Sequence, residues 1–476
     1  MNSKDLRVFR EHGIIDTRRM RVIDTNAIAL GVTSLQLMEA AGKSLADSVR
    51  SLHPDIVLIL AGKGNNGGDG LVAARYLQYD TDTIVWYYDH PVMSPECRHQ
   101  LTALTRSAVT LYPFTCLSDL VILKEQSEKA DVIIDALLGI GGDGDLREPI
   151  RTCVAIANRS PGRIIAADIP TRGMRTDHIV SFHREKVAGA EAVDIGIPIE
   201  ADCCTGPGDL TLIPSLASHA HKGAGGKILI IGGGPYQGAP WLAGLAAMRS
   251  GADLVRIASP TMPQSLDLIH LPLSGTHITE DHQELLIRYC EDADVVICGN
   301  GLGPQSHEVT CAIAPHCRRA VFDADALRTP LPVARENTLY TPHAGEFSRA
   351  FAPPGAPSLP DDPIQRAHLI RSATAQLADE KDTILLKGPI DIIADREHIR
   401  WNRTGTPAMT TGGTGDVLAG VCGALLCHLT PFESACAASY AIGRAGETGA
   451  DLYGQGLVAS DLIDCIAQVL YARGMQ

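Results

Sequence analysis

The residues from Thr410 to Asp416 read TTGGTGD and run directly into VLAGVCGALL, an apolar helical stretch. Gly412, Gly413 and Gly415 put consecutive backbone N–H groups at a helix N-terminus, a nest that binds anions. Asp416 stands in the same turn. A carboxylate beside an anion hole opposes phosphate binding unless it serves as a base toward the group that receives a phosphoryl. A plain helix start with an acid in its first turn accounts for Asp416 but leaves the three glycines without a reason.

A second glycine-rich segment, GKGNNGGDG from Gly62 to Gly70, follows the apolar run that begins at Ile56. Gly62, Gly64 and Gly67 satisfy a GxGxxG spacing, and Asp89 ends the next run. Alone this reads equally as a dinucleotide fingerprint or as a tight strand-to-helix turn. Asn65, Asn66 and Asp69 add two amides and a carboxylate, which suit a polar ligand or a hard cation better than a bare phosphate cradle. Asp135 (in DALLG, before GIGGDGD) and Asp168 (in ADIPTRG) stand at or near the ends of two further runs. With Asn66 they form a candidate set of oxygen ligands. Later runs end in GGGPYQGAP, GNGLGP, DADAL, TPHAGEF and LLKG, which bring His343 and Lys387 to strand ends. There Lys387 is a point charge able to meet a phosphate.

These residues need a scaffold that gathers strand ends. Short β-branched runs recur at 56–62, 83–89, 108–114, 131–139, 163–170, 178–183 and 190–198, with helical stretches between. Near-continuous apolar strands alternating with helices predict parallel sheets covered on both faces, with ligands beyond the carboxyl ends of the strands. Leu35, Met38, Ala41, Leu45, Val49 and Leu52 mark an amphipathic core helix. The pattern restarts at 227–233, 254–260, 294–299, 320–324, 338–342, 383–388 and 391–395, and the halves do not repeat each other. Periodicity lapses around 206–226, so the expected domains are 1–210 and 215–476. The proline-rich stretch 351–363 is expected to be an irregular connection or lid. The fold class is α/β in two domains.

Composition narrows the partners. The chain has 476 residues, 45% hydrophobic and 20% charged, enough for two or three cores and against disorder. Lys and Arg number 41 against 55 acidic residues, a net charge of −14 with no basic run, which argues against a nucleic-acid binder. The longest apolar run, 417–429, is shorter than the roughly 20 residues a membrane span needs. Thirteen scattered cysteines without a CxxC pair read as free thiols in a reducing, cytoplasmic setting.

Together the motifs resemble a known pair of modules. GKGNNGGDGLVAARYL, DALLG, ADIP and DIGIP resemble the YjeF N-terminal NAD(P)H-hydrate epimerase domain. HKGAGGKILIIGGG, GAP, GNGLG, DADAL, TPHAGEF, LLKG and TTGGTGDVLAG resemble the ADP/ATP-dependent NAD(P)H-hydrate dehydratase, a relative of the ribokinase-like kinases. The match covers nearly the whole chain in the family's order. It implies a Rossmann-like doubly wound domain followed by a ribokinase-like α/β domain.

The resemblance also implies the chemistry. The first domain interconverts the R and S hydrates of NADH and NADPH, and the second dehydrates the S form at the expense of ADP or ATP, with magnesium. It places Asn65, Asn66, Gly67, Gly68, Asp69, Gly139, Ile140, Gly141, Gly142, Asp143, Gly144 and Asp145 against the hydrate in the first domain, with Asp168 as acid/base. Potassium falls to Asn66, Asp135 and Thr171. In the second domain Ala239, Gly301, Gly303, His343 and Asp416 line the hydrate site, and Asp416 is the base. Lys387, Gly388, Pro389, Ile390, Asp391 and Gly415 hold the nucleotide. A homo-oligomer is expected.

Three departures stand out: DIPSG reads DIPTRG, with Thr171 for serine; the stretch 173–198 is shorter than in most relatives; and GPGLG reads GNGLG, with Asn300 for a proline ring. The rival reading is a ribokinase- or hydroxymethylpyrimidine-kinase-like enzyme with a non-catalytic dinucleotide-binding first domain. The product separates the two, since a kinase leaves a stable phosphate ester.

Overall fold

The computed structural model describes residues 6–11, 13–139, 145–214, 225–261, 265–352 and 358–471. The chain forms two compact units, Glu11–Pro198 and a second made of the first ten residues with Ile199–Gln476. The seam lies at 198/199, so the expected division around 206–226 falls inside the second unit. The expected 1–210 domain also loses its N-terminal segment to that unit. Periodicity missed this because Leu6 and Phe9 are only 1% and 3% exposed yet belong to no regular run. They pack with Cys203 and Trp401, Phe9 having its ring 5.1 Å from that of Trp401, and Arg10 pairs with Asp202 at 3.1 Å.

The first unit is built on a seven-stranded, all-parallel sheet: β1 (Ile56–Ala61), β2 (Asp82–Tyr88), β3 (Thr110–Phe114), β4 (Val132–Ala136), β5 (Arg163–Ala167), β6 (His178–Phe182) and β7 (Glu191–Val193). The order is β3-β2-β1-β4-β5-β6-β7, so direction switches between β1 and β4. In register, Leu60 lies beside Asp135, which lies beside Ala166, bringing the three functional strand ends level. The helix Ser34–Arg50 starts with a Thr33/Gln36 capping box and buries Leu37, Met38, Ala41, Leu45 and Val49.

The second unit carries nine strands: β8 (Lys227–Ile231), β9 (Leu254–Ser259), β10 (Ile269–Pro272), β11 (Val295–Cys298), β12 (Arg319–Phe322), β13 (Asn337–Tyr340), β14 (Thr383–Leu386), β15 (Asp391–Ala394) and β16 (Ile399–Asn402). Their order is β10-β9-β8-β11-β12-β13-β14-β15-β16, parallel up to β14 and antiparallel for the last two. The switch lies between β8 and β11. The interior strands are largely apolar, as runs such as VVIC in β11 must be when buried on both faces. Strands β10 and β16 have no counterpart in the sequence reading. Each is a four-residue edge strand, and Pro272 and Asn402 interrupt the apolar signal. Among the described residues no helix is long and apolar enough to cross a membrane.

Candidate active sites

In the first unit the turn after β1 is forced by close approach. A Cβ on Gly62 would stand 1.7 Å from the carbonyl oxygen of Leu137, and one on Gly67 would stand 2.0 Å from that of Gly62. Only glycine lets the helix Asn65–Leu77 start against the end of β4. The result is a cavity of about 490 Å³ whose lining includes Asn65, Asn66, Asp69, Gly139 and Asp168, together with Asp24 and Lys186. Gly68 packs against Met38. Asp145 pairs with Arg172 at 3.4 Å. Ile140, Gly141, Gly142, Asp143 and Gly144 lie outside the described residues.

Asp168 holds a left-handed backbone, φ +64°, at the end of β5. Such a conformation in a non-glycine residue survives only when its surroundings impose it. Here Phe182 donates its N–H to Oδ1 at 3.0 Å, and Lys186 donates to the same oxygen at 2.5 Å and to the Phe182 carbonyl at 2.7 Å. The Lys186 side chain is 2% exposed. Burial and the charge of Asp168 push Asp69 well above the usual carboxylate range. Burial likewise raises Asp24 to about 6, with Lys186 opposing.

Lys186 and Asp24 were missed from sequence. Lys186 lies in HREK, which looks like a solvated turn. Asp24 left a signal, a carboxylate one turn from Met20 and Ile28 on the helix Thr17–Ala29.

Asn66, Asp135 and Thr171 converge around the Leu138 peptide. Asn66 Nδ2 donates to the Leu138 carbonyl at 3.2 Å, and the Leu138 N–H donates to Thr171 Oγ1 at 3.1 Å. Asp135 is fully buried and accepts the Thr171 hydroxyl and N–H, both at 2.7 Å. Asn66 Oδ1 is buried and, among the described residues, accepts no hydrogen bond. An unpartnered amide oxygen near a buried carboxylate fits a monovalent cation.

In the second unit, the strand ends at the switch converge on Lys387. It lies just past β14, in bridge register with His343 past β13. Its Nζ donates to Asp323 Oδ1 at 2.7 Å and stands 3.8 Å from Glu346 Oε2. A Cβ on Gly415 would come 3.2 Å from that Nζ, so the bare turn lets the ammonium sit over the N-terminus of the helix Thr414–Leu426. Gly413 has φ +96° and is wedged against Leu242 and Ala459. Asn300 bridges the carboxylates, donating to Asp416 at 2.7 Å and to Asp323 at 3.1 Å.

Burial, then the charge of Asp323, raises Asp416 to about 6, with Asn300 and Lys387 opposing. Burial also raises Glu346. Lys387 is itself raised: burial disfavours its charge, but Asp323 and Glu346 outweigh that.

The remaining residues divide by position. Gly301 (φ +68°) comes within contact of Tyr236 and Ala239, and Gly303 donates its N–H to Asp325 at 2.9 Å. His343 caps the helix Ala344–Ala350, its Nδ1 accepting from Gly345 and Glu346, while its ring stays 59% exposed. Gly388, Pro389 and Ile390 form the tip between β14 and β15. The Asp391 carboxylate turns inward to the Gly388 N–H, Ser439 and Asn402. It braces that tip, leaving backbone and Lys387 to face a ligand. Asp323, quoted in DADAL but given no role there, proves central to the cluster.

A lysine-bearing acid/base pocket in one α/β unit and an anion nest beside a carboxylate in the next describe a two-centre enzyme. Residues 34–188 match the YjeF-related protein N-terminus family, and residues 228–468 match the NAD(P)H-hydrate dehydratase family. The chain is 50% identical over 464 residues to the bifunctional NAD(P)H-hydrate repair enzyme of Methanospirillum hungatei, covering 97% of this chain and 95% of that one. It is 36% identical over 488 residues to that of Archaeoglobus fulgidus, covering 96% and 98%. It is also similar to the ADP/ATP-dependent NAD(P)H-hydrate dehydratase structure from Bacillus subtilis, at 26% identity over 56% of this chain and 98% of that one, TM-score 0.46. The chain belongs to the family of bifunctional NAD(P)H-hydrate repair enzymes. Its first unit carries the epimerase domain and its second the dehydratase domain.

Proposed function

We propose that Asp416 is the base of the dehydration and that the nest around Gly413–Gly415 holds the phosphoryl in transit. The observation that carries this is a half-buried carboxylate, raised to about 6, in the first turn of a glycine-started helix and within the field of Lys387. Asp416 takes the proton of the hydrate's hydroxyl as that oxygen bonds the terminal phosphorus of ADP or ATP, and the bond to the nucleotide's bridging oxygen breaks. From ADP the other product is AMP. The phosphate then departs with its C–O pair, pushed by the ring nitrogen's lone pair. Loss of a proton from the neighbouring carbon restores the double bond, giving NAD(P)H.

Asp323, Asp416 and Glu346 outnumber Lys387, so a nucleotide polyphosphate needs a cation with it. Magnesium bound with the nucleotide would supply that charge.

In the epimerase pocket Asp168, held by Lys186, acts on the hydrate carbon, with Asn65, Asn66, Asp69 and Gly139 lining the same cavity. Bound potassium would supply a fixed positive charge to this pocket. Asn66, Asp135 and Thr171 would hold it, Asn66 Oδ1 being the buried acceptor without a donor. Thirteen free thiols support a cytoplasmic setting. Exposed Ile14, Ile28 and Leu30 offer apolar surface for a homo-oligomer.

The test feeds mixed R and S hydrates with ADP and magnesium and follows recovery of reduced-nicotinamide absorbance. Full recovery is expected from the native protein, faster in potassium than in sodium. Asp168→Ala should plateau near the S fraction. Full-rate recovery by Asp168→Ala would remove that residue from the mechanism, and equal rates in the two salts would remove the potassium site.

A further inference from the structure

We propose that Asn300 is a positioning residue of the dehydration site, a two-pronged amide that ties Asp416 to the Asp323–Lys387 pair and turns one oxygen of Asp416 toward the substrate. The proposal rests on the reading of Asp416 as the base.

Asn300 lies two residues past β11, at the switch in strand order, and is fully buried. Its Nδ2 has two hydrogens, and both are spent: one on Asp416 Oδ1 at 2.7 Å and one on Asp323 Oδ2 at 3.1 Å. The orientation of the amide is not arbitrary. Two carboxylate oxygens face it, and a carbonyl turned toward them would meet only repulsion. Its cost is visible on the other side, where Asn300 Oδ1 is buried with no donor among the described residues. A residue kept only to fill space would not leave an acceptor stranded in this way.

The remaining valences fit the same arrangement. Asp323 Oδ1 is taken by Lys387 at 2.7 Å and Thr341 at 2.9 Å, and its Oδ2 by Asn300. Asp323 thereby accepts three bonds and has both oxygens engaged. Asp416 has only Oδ1 engaged, so among the described residues Oδ2 is the open acceptor.

The groups facing Asp416 come from four elements: Asn300 after β11, Asp323 after β12, Glu346 in the first turn of the helix Ala344–Ala350, and Lys387 after β14. Asp323 and Glu346 raise its proton affinity; Asn300 and Lys387 lower it. Without the amide, Asp416 and Asp323 repel across the gap with nothing between them. A proline at this position would bring neither hydrogen.

The experiment measures dehydration of S hydrate by the full chain, with ADP and magnesium, across pH for native protein, Asn300→Ala, Asn300→Ser, Asn300→Pro and Asp416→Asn. Asn300→Ala is expected to lose about 10- to 100-fold in kcat at neutral pH, with both KM values within about threefold. Its acid limb should move up by about one pH unit, so that part of the loss is recovered in alkaline buffer. Asn300→Pro should behave likewise, and Asn300→Ser, which keeps one donor, should fall between. Thermal unfolding with and without ADP identifies a variant that fails to fold, and the serine variant then decides.

An acid limb unmoved in folded Asn300→Ala or Asn300→Ser, or a loss confined to KM, would overturn the proposal. Failure of the underlying reading looks different: Asp416→Asn would keep its turnover.

Discussion

Each unit gathers several carboxylates and one buried lysine at the carboxyl ends of a parallel sheet, and the two place the lysine differently. In the epimerase pocket Lys186 bonds Asp168 itself, and Asp24 and Asp69 are the groups driven toward protonation. In the dehydratase site Lys387 bonds Asp323, a bystander to the proton transfer, and Asp416 is left with an amide. The position of one ammonium thus decides which carboxylate is ion-paired and which is left for burial to raise. An epimerisation must act on both faces of one carbon and has use for protonated and ionised groups together. A phosphoryl acceptor needs one base, and a cation bonded directly to that base would weaken it.

The largest effects should come from moving those charges. Lys387→Met is expected to cut dehydration at least about 100-fold and to destabilise the second unit by about 3–5 kcal/mol, since Asp323 is then buried without its partner. Lys186→Met should do the reverse, stopping epimerisation while S hydrate is still consumed at the native rate. Separate assays on R and S hydrate read both, and cross-effects between the two reactions would break the comparison.

A smaller effect sharpens the boundary between the units. Phe9→Ala should lower the stability of the dehydratase unit by about 3 kcal/mol, because its ring is buried against Trp401 and His368. Unfolding followed by hydrogen exchange in each unit checks this. The expected outcome leaves exchange within 11–198 unchanged.

What was legible in the sequence follows from the physics of each feature. Parallel strands buried on both faces read as unbroken apolar runs, so nearly every interior strand stood out. Asp135 and Asp168 were visible because a carboxylate at the end of such a run has no packing role, and Asp416 because three glycines surround it at a helix start. The edge strands β10 and β16 were not, being short and mixed in polarity. Lys186 was hidden for another reason. Its burial comes from a backbone reversal at His183, φ +68°, which folds HREK back over Asp168. Nothing in local periodicity reports a turn of that kind. Asn300 was noticed only as a departure from a motif, and its contacts to Asp416 and Asp323 show what the change brings.

The central claim is that Asp416 takes the hydrate's proton. It is tested most directly by the pH dependence of S-hydrate dehydration in native protein and in Asp416→Asn, which keeps the shape and can still accept from Asn300. The native rate should fall away below about pH 6, where Asp416 becomes protonated. The variant should be slower by about 10³-fold or more, with no such limb and with ADP binding retained. A variant that keeps the native rate, or one that keeps the same acid limb, would contradict the account.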